Sequence, residues 1–119
     1  QEVVLVDVTM RIRQFAYHSH NANRVWPGTF NLAEYLFAKD DSGGFSLRLG
    51  SVLELGTATG LLAIRLAMCS ENHVRQQKHS GPFVCRDVVT SDFDDNEIEG
   101  CVRHNFLLNG FDGDEGIPV

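Results

Sequence analysis

At 119 residues and 43% apolar content, the chain has the size and hydrophobicity of one globular domain or part of one. Its formal net charge of −6 and pI near 5.2 argue against a surface built to neutralise nucleic-acid phosphates or anionic lipid. No apolar run approaches the roughly 20 residues that cross a bilayer, and the start, Gln1 and Glu2 before an apolar run containing Asp7, lacks the pattern of a secretory leader.

In chain order, residues 3–15 set Met10 and Ile12 against Thr9, Arg11 and Arg13. That period of two predicts an N-terminal strand or hairpin arm, with a polar loop completing a segment over residues 1–23. Val25, Trp26, Pro27 and Gly28 form a turn, and Phe30, Ala33 and Phe37, with Leu32 and Leu36 beside them, give the stripe of an amphipathic helix. After a turn over residues 40–44, residues 49–55 read as a short strand buried on both faces, which passes through Gly56 and Gly60 into an apolar core helix over residues 61–68.

Residues 71–86, polar and containing Gly81 and Pro82, are expected to form a long surface loop. A second buried strand over residues 88–91 ends at Asp92. Asp94 is the expected cap of the next helix, with Glu97 as its capping-box partner, and Ile98, Cys101, Val102 and Phe106 as its apolar stripe. Asn109 and Gly110 close that helix, and residues 111–119 read as an acidic flexible tail. Alternating strands and helices imply parallel strands with right-handed crossovers, an α/β fold.

The chemistry concentrates where the first buried strand meets its glycine bend. A strand that turns through glycines into a helix gathers backbone N–H groups and the positive end of the helix dipole, and missing side chains let a ligand reach the main chain. Glu54, at the strand's end, suits a cationic or hydroxyl-bearing ligand better than a polyphosphate. Asp92, at the end of the next strand, is placed to accept hydrogen bonds from both hydroxyls of a ribose. The governing expectation is geometric: the two carboxylates finish neighbouring parallel strands and face one crevice. Cys69, Cys85 and Cys101 include no CxxC pair and are expected as free thiols, and His18 and His20 lack a third partner for a metal.

Taken together, Val25-Trp26-Pro27-Gly28-Thr29, Ala33-Glu34-Tyr35-Leu36, the run Leu53-Glu54-Leu55-Gly56 through Gly60-Leu61, Thr90-Ser91-Asp92 and the closing Asn105, Leu108, Asn109 and Gly110 resemble the seven-strand S-adenosylmethionine-dependent methyltransferases. Within these the pattern is most similar to the branch that methylates lysine side chains on non-histone proteins. It covers residues 24–110. The resemblance implies a partial Rossmann-like, doubly wound methyltransferase sheet behind an N-terminal β arm, and S-adenosyl-L-methionine as cofactor. It implies that Glu54, Gly56 and Gly60, with Thr57 between them, line the methionine end. Asp92 would bind the ribose, Phe93 flank the adenine and Trp26 pack over the cofactor. A protein substrate and a cytoplasmic or nuclear location follow on the same terms, while the absence of a nucleic-acid or membrane partner is expected from charge and hydropathy alone. No catalytic side chain is assigned, because methyl transfer to an amine rests on proximity and desolvation.

The sequence departs from the family at the central glycine of the usual GxGxG turn, here Ala58, and in the length of the segment between Glu54 and Asp92. It also contains two clear Rossmann strands where the family has more, and no acidic-x-x-aromatic motif after a fourth strand. A truncated chain, inactive in isolation, is therefore expected. Two other readings share these features: a nucleotide-dependent Rossmann oxidoreductase, opposed by the absence of GxGxxG and by Glu54, and a non-catalytic methyltransferase-like interaction domain.

Overall fold

The computed structural model describes residues 1–14, 24–77 and 82–111. Strands β1 (Glu2–Leu5) and β2 (Val8–Arg11) pair antiparallel with Leu5 opposite Val8, leaving a two-residue turn. Both turn residues lie in the left-handed region, Val6 at φ 49° and Asp7 at φ 62°, as the hairpin twist demands of so short a connection. Glycine or asparagine usually supplies that backbone, so the turn is strained, and the buried Arg65 guanidinium holds it. Nε donates to the Leu5 carbonyl and Nη2 to the Val6 carbonyl, each at 3.1 Å. The charge also lies 4.4 Å from the centre of the Phe37 ring. The alternation read from the sequence holds: Met10 and Ile12 are buried, while Thr9, Arg11 and Arg13 are exposed.

Helix α1 (Gly28–Leu36) begins after Pro27 and buries Ala33, with Phe37 buried just past its end. The expected stripe is narrower than its sequence: Phe30 and Leu32 face outward. Strand β3 (Ser51–Leu55) runs parallel to β4 (Asp87–Ser91), with Leu53 opposite Val89 and Leu55 opposite Ser91. Between them comes α2 (Leu61–Met68), whose residues 61–67 are all buried, making it the core helix expected. The core gathers Leu61, Ile64 and Leu66 with Val88, Ile98 and Phe106, and receives Leu5, Met10 and Ile12 from the hairpin.

Four expectations change. The two strands are not buried on both faces: Leu53 is 59% exposed, Leu55 76% and Val89 41%. Side chains alternate across a strand, so Val52 and Val88 face the core while their neighbours face out. The segment after residue 70 is not all loop. Helix α3 (Glu71–Gln76) forms there because the Ser70 hydroxyl accepts the His73 N–H at 3.2 Å, and Val84 and Cys85 are buried beyond it. The cap of α4 (Asn96–Leu108) is Asp95 rather than Asp94: its carboxylate accepts the Glu97 N–H at 2.8 Å and the Ile98 N–H at 3.4 Å. Finally, Phe111 belongs to the core rather than to a tail, packed edge-on to Phe106 with ring centres 5.3 Å apart. The expected loop over residues 17–23, with His18 and His20, and residues 112–119 lie outside the described residues.

The chain is thus a small α/β domain containing one antiparallel and one parallel two-stranded sheet among its described residues. Among these residues no helix is long and apolar enough to cross a membrane.

Candidate ligand site at the strand ends

Parallel pairing brings the carboxyl ends of β3 and β4 side by side, and the register puts Glu54 opposite Thr90. The chain leaving β3 bends back over β4: the Thr57 N–H donates to the Ser91 carbonyl at 3.1 Å, and the Ala58 N–H donates to Asp92 Oδ2 at 2.7 Å. Asp92 also accepts the Phe93 N–H through Oδ1 at 2.8 Å. Its carboxylate therefore ties the end of one strand to the bend after the other, at the edge where ligands bind in open α/β sheets.

Three residues of the bend take left-handed backbone: Gly56 at φ 68°, Ala58 at φ 52° and Gly60 at φ 84°. For Ala58 that conformation costs about 1–2 kcal/mol. A hydrogen bond to a charged group returns about 1.5–3 kcal/mol, so the bond to Asp92 is large enough to hold alanine where glycine would be unstrained. Gly60 has a second constraint, since a Cβ there would sit 3.2 Å from Val102 Cγ1 of α4. Helix α2 starts from Gly60 without a side-chain cap, which leaves the positive end of its dipole at the bend.

Beside the bend lies a cleft of about 330 Å³, at the lower end of the volumes usual for small-molecule sites. Ile98 and Val102 give it an apolar surface, and the exposed ring of Phe93 borders it. Asp92, Asp94, Asp95 and Glu99 contribute four carboxylates. The cleft's guanidinium, Arg103, donates to Glu99 Oε1 at 3.3 Å. A cleft so charged repels a polyphosphate and favours a cation or a ligand rich in hydroxyl and amino donors.

Of the residues singled out from sequence, Thr57, Asp92 and Phe93 line this cleft. Gly56 and Gly60 shape the bend without lining it. Glu54 shares the strand-end edge with Asp92 but is not among the cleft-lining residues; its Oε1 accepts the Thr57 hydroxyl at 2.5 Å. Burial pushes its carboxyl up to about 7; the Thr57 hydroxyl opposes that rise and the Asp92 charge adds to it. Trp26 is 57% exposed ahead of α1 and is not among the cleft-lining residues.

Asn105, which the sequence offers only as a structural residue of the last helix, also reaches the bend. Fully buried in α4, it donates through Nδ2 to the Thr59 carbonyl of the bend at 2.8 Å, and its Oδ1 accepts the Arg13 N–H at 2.6 Å. The available signal was an amide on the apolar stripe of a helix, where a polar group needs partners. Compared with protein-family models and with curated proteins, the chain matches none.

Proposed function

We propose that this chain is a binding module for S-adenosylmethionine, the nucleoside-gripping portion of a methyltransferase of the protein-lysine type. The observation that carries the reading is the Asp92 carboxylate, held by the Ala58 N–H at the end of β4 and lining an acidic cleft beside a glycine bend. The cofactor contains no phosphate, carries a cationic sulfonium and ammonium, and offers two ribose hydroxyls. Each of these properties suits carboxylates better than a dinucleotide's pyrophosphate does.

The residues fit such a ligand in part. Asp92 has acceptor capacity beyond its two backbone donors, since an ionised carboxylate offers about four lone-pair sites. Phe93 gives an aromatic surface for a base, and Ile98 and Val102 an apolar one. Glu54 and Trp26 stand outside the cleft, so the methionine end has less support than the nucleoside end. When bound, S-adenosylmethionine supplies an electrophilic methyl group. The part of this chain is to bind and orient, and none of its described residues is assigned as a base.

Titration calorimetry with S-adenosylhomocysteine tests the proposal, with NAD as the control. The expected result is binding of the homocysteine derivative, weakened at least tenfold in Asp92→Asn, and no binding of NAD. Preference for NAD would replace the reading by the oxidoreductase one, and a folded chain that binds neither would remove both.

A non-catalytic interaction module is the second reading, favoured by the open apolar face formed by Leu53, Leu55 and Val89. A folded, monodisperse chain that binds a protein partner through that face but no S-adenosylhomocysteine would select it.

A further inference from the structure

Two asparagines one turn apart, Asn105 on α4 and Asn109 at its C-terminal cap, hold the backbone of the N-terminal arm as a neighbouring strand would. Asn109 Oδ1 accepts the Arg11 N–H at 3.0 Å while its Nδ2 donates to the Arg11 carbonyl at 2.6 Å. Asn105 repeats the pattern two residues on. Its Oδ1 accepts the Arg13 N–H at 2.6 Å, and its Nδ2 donates to the Arg13 carbonyl at 3.1 Å. The spacing is not accidental: residues i and i+4 of a helix lie on one face, about 6 Å apart, and alternate residues of a strand repeat over a similar distance. Each side-chain amide pairs with both groups of one extended residue, so the arm is held through its main chain whatever its side chains.

Only Asn105 also reaches the ligand site. The Nδ2 that donates to Arg13 donates to the Thr59 carbonyl as well, and Thr59 lies between Ala58, bonded to Asp92, and Gly60, which starts α2. Asn109 reaches back to the Asn105 carbonyl at 2.8 Å, adding a rung between the two clamps. Loss of the arm would leave the buried Asn105 oxygen without the Arg13 donor. A buried amide missing a partner is costly enough to reorient, and here reorientation pulls on Thr59.

We propose that the arm and the glycine bend are coupled through Asn105, a positioning residue, so that docking of the arm orders the bend and release of the arm loosens the ligand site. The consequence for ligand affinity rests on the methyl-donor reading; the coupling of arm to bend stands on hydrogen bonds alone.

The test uses Asn109→Ala in the full chain, because the hydrogen bonds of the Asn109 side chain run to the arm and to its own helix. Amide hydrogen exchange should rise at Arg11 and Arg13, and with them at Ala58 and Gly60, while the amides of β4 stay as protected as in the parent. A general loss of stability would move all of them together, so the pattern separates coupling from weakening. Affinity for S-adenosylhomocysteine should fall about fivefold or more, the lower end of couplings between sites. Asn109→Asp keeps the acceptor for the Arg11 N–H and loses the donors, so it should fall between parent and alanine variant, and it serves if the alanine variant does not fold. Faster exchange in the arm with an unchanged bend would overturn the coupling. A parent chain that ignores S-adenosylhomocysteine would overturn the methyl-donor reading and the affinity consequence with it, with arm-to-bend coupling then decided by exchange.

Discussion

Replacing Glu54 by glutamine should change how stability depends on pH. The Glu54 carboxyl is pushed from 4.5 to about 7, chiefly by burial, while the Thr57 hydroxyl that bonds its Oε1 works against the rise. An acid whose folded value lies above its unfolded one binds its proton more tightly when folded. Its contribution to stability is complete below pH 4.5, fades as the pH climbs, and is gone above about 7. At about 1.4 kcal/mol per pH unit, ionising the buried carboxyl costs about 3 kcal/mol, a substantial part of the 5–15 kcal/mol typical of a domain. Glutamine keeps an oxygen to accept the Thr57 hydroxyl and never ionises. Urea unfolding of parent and Glu54→Gln between pH 4 and 8 should therefore give curves whose gap widens by about 3 kcal/mol up to neutrality in favour of glutamine, then stays constant. A gap that does not change with pH would show that Glu54 is solvated, and the tight strand-end arrangement with Thr57 would be wrong.

Three further outcomes follow from the fold. Asp7→Gly should stabilise the chain by about 0.5–1 kcal/mol in thermal or urea unfolding, because glycine adopts the turn's positive φ without strain. Gly60→Ala should cost about 2 kcal/mol in the same assay, the sum of left-handed backbone and the contact with Val102, and should weaken ligand binding at the bend. A thiol reagent at neutral pH should label Cys69 in the folded chain and all three cysteines only after unfolding. Cys69 is partly exposed, whereas Cys85 and Cys101 are buried, and burial pushes the Cys85 thiol up to about 12 and that of Cys101 upward too.

What the sequence made legible is what depends on near neighbours. The bend from β3 into α2 is written in Gly56 and Gly60, and Asp92 stands out because it ends an apolar strand. The apolar helix over residues 61–68 and the stripe of α4 are periodic signals that tertiary contacts reinforced. The hairpin turn was hidden because β-branched Val6 holds a left-handed position with no glycine or asparagine to mark it, Asp7 being the single turn-type residue, and its support comes from Arg65, about 60 positions away. Helix α3 was obscured by its polar composition, although Ser70 followed by Glu71 is a helix start. The cap of α4 was misplaced by one residue within a run of acids in which only backbone geometry distinguishes Asp94 from Asp95. Asn105 was legible as a structural residue of its helix but its partners were not: Arg13 and Thr59 lie 92 and 46 positions away, and an amide's role in a helix depends on what the fold brings to it. The exposure of Leu53 and Leu55 was missed because apolar strand residues announce an affinity for cover, not whether cover is present.

The proposed occupant of the cleft between the glycine bend and α4 is an adenosyl group. Two-dimensional amide NMR during titration with S-adenosylhomocysteine tests it most directly. The largest shifts should fall at Thr57, Ala58, Asp92 and Phe93, saturate with one ligand per chain and vanish in Asp92→Asn. Saturable binding whose largest shifts fall on α3 or on the open face at Leu53 and Val89, with those four amides unmoved, would contradict it.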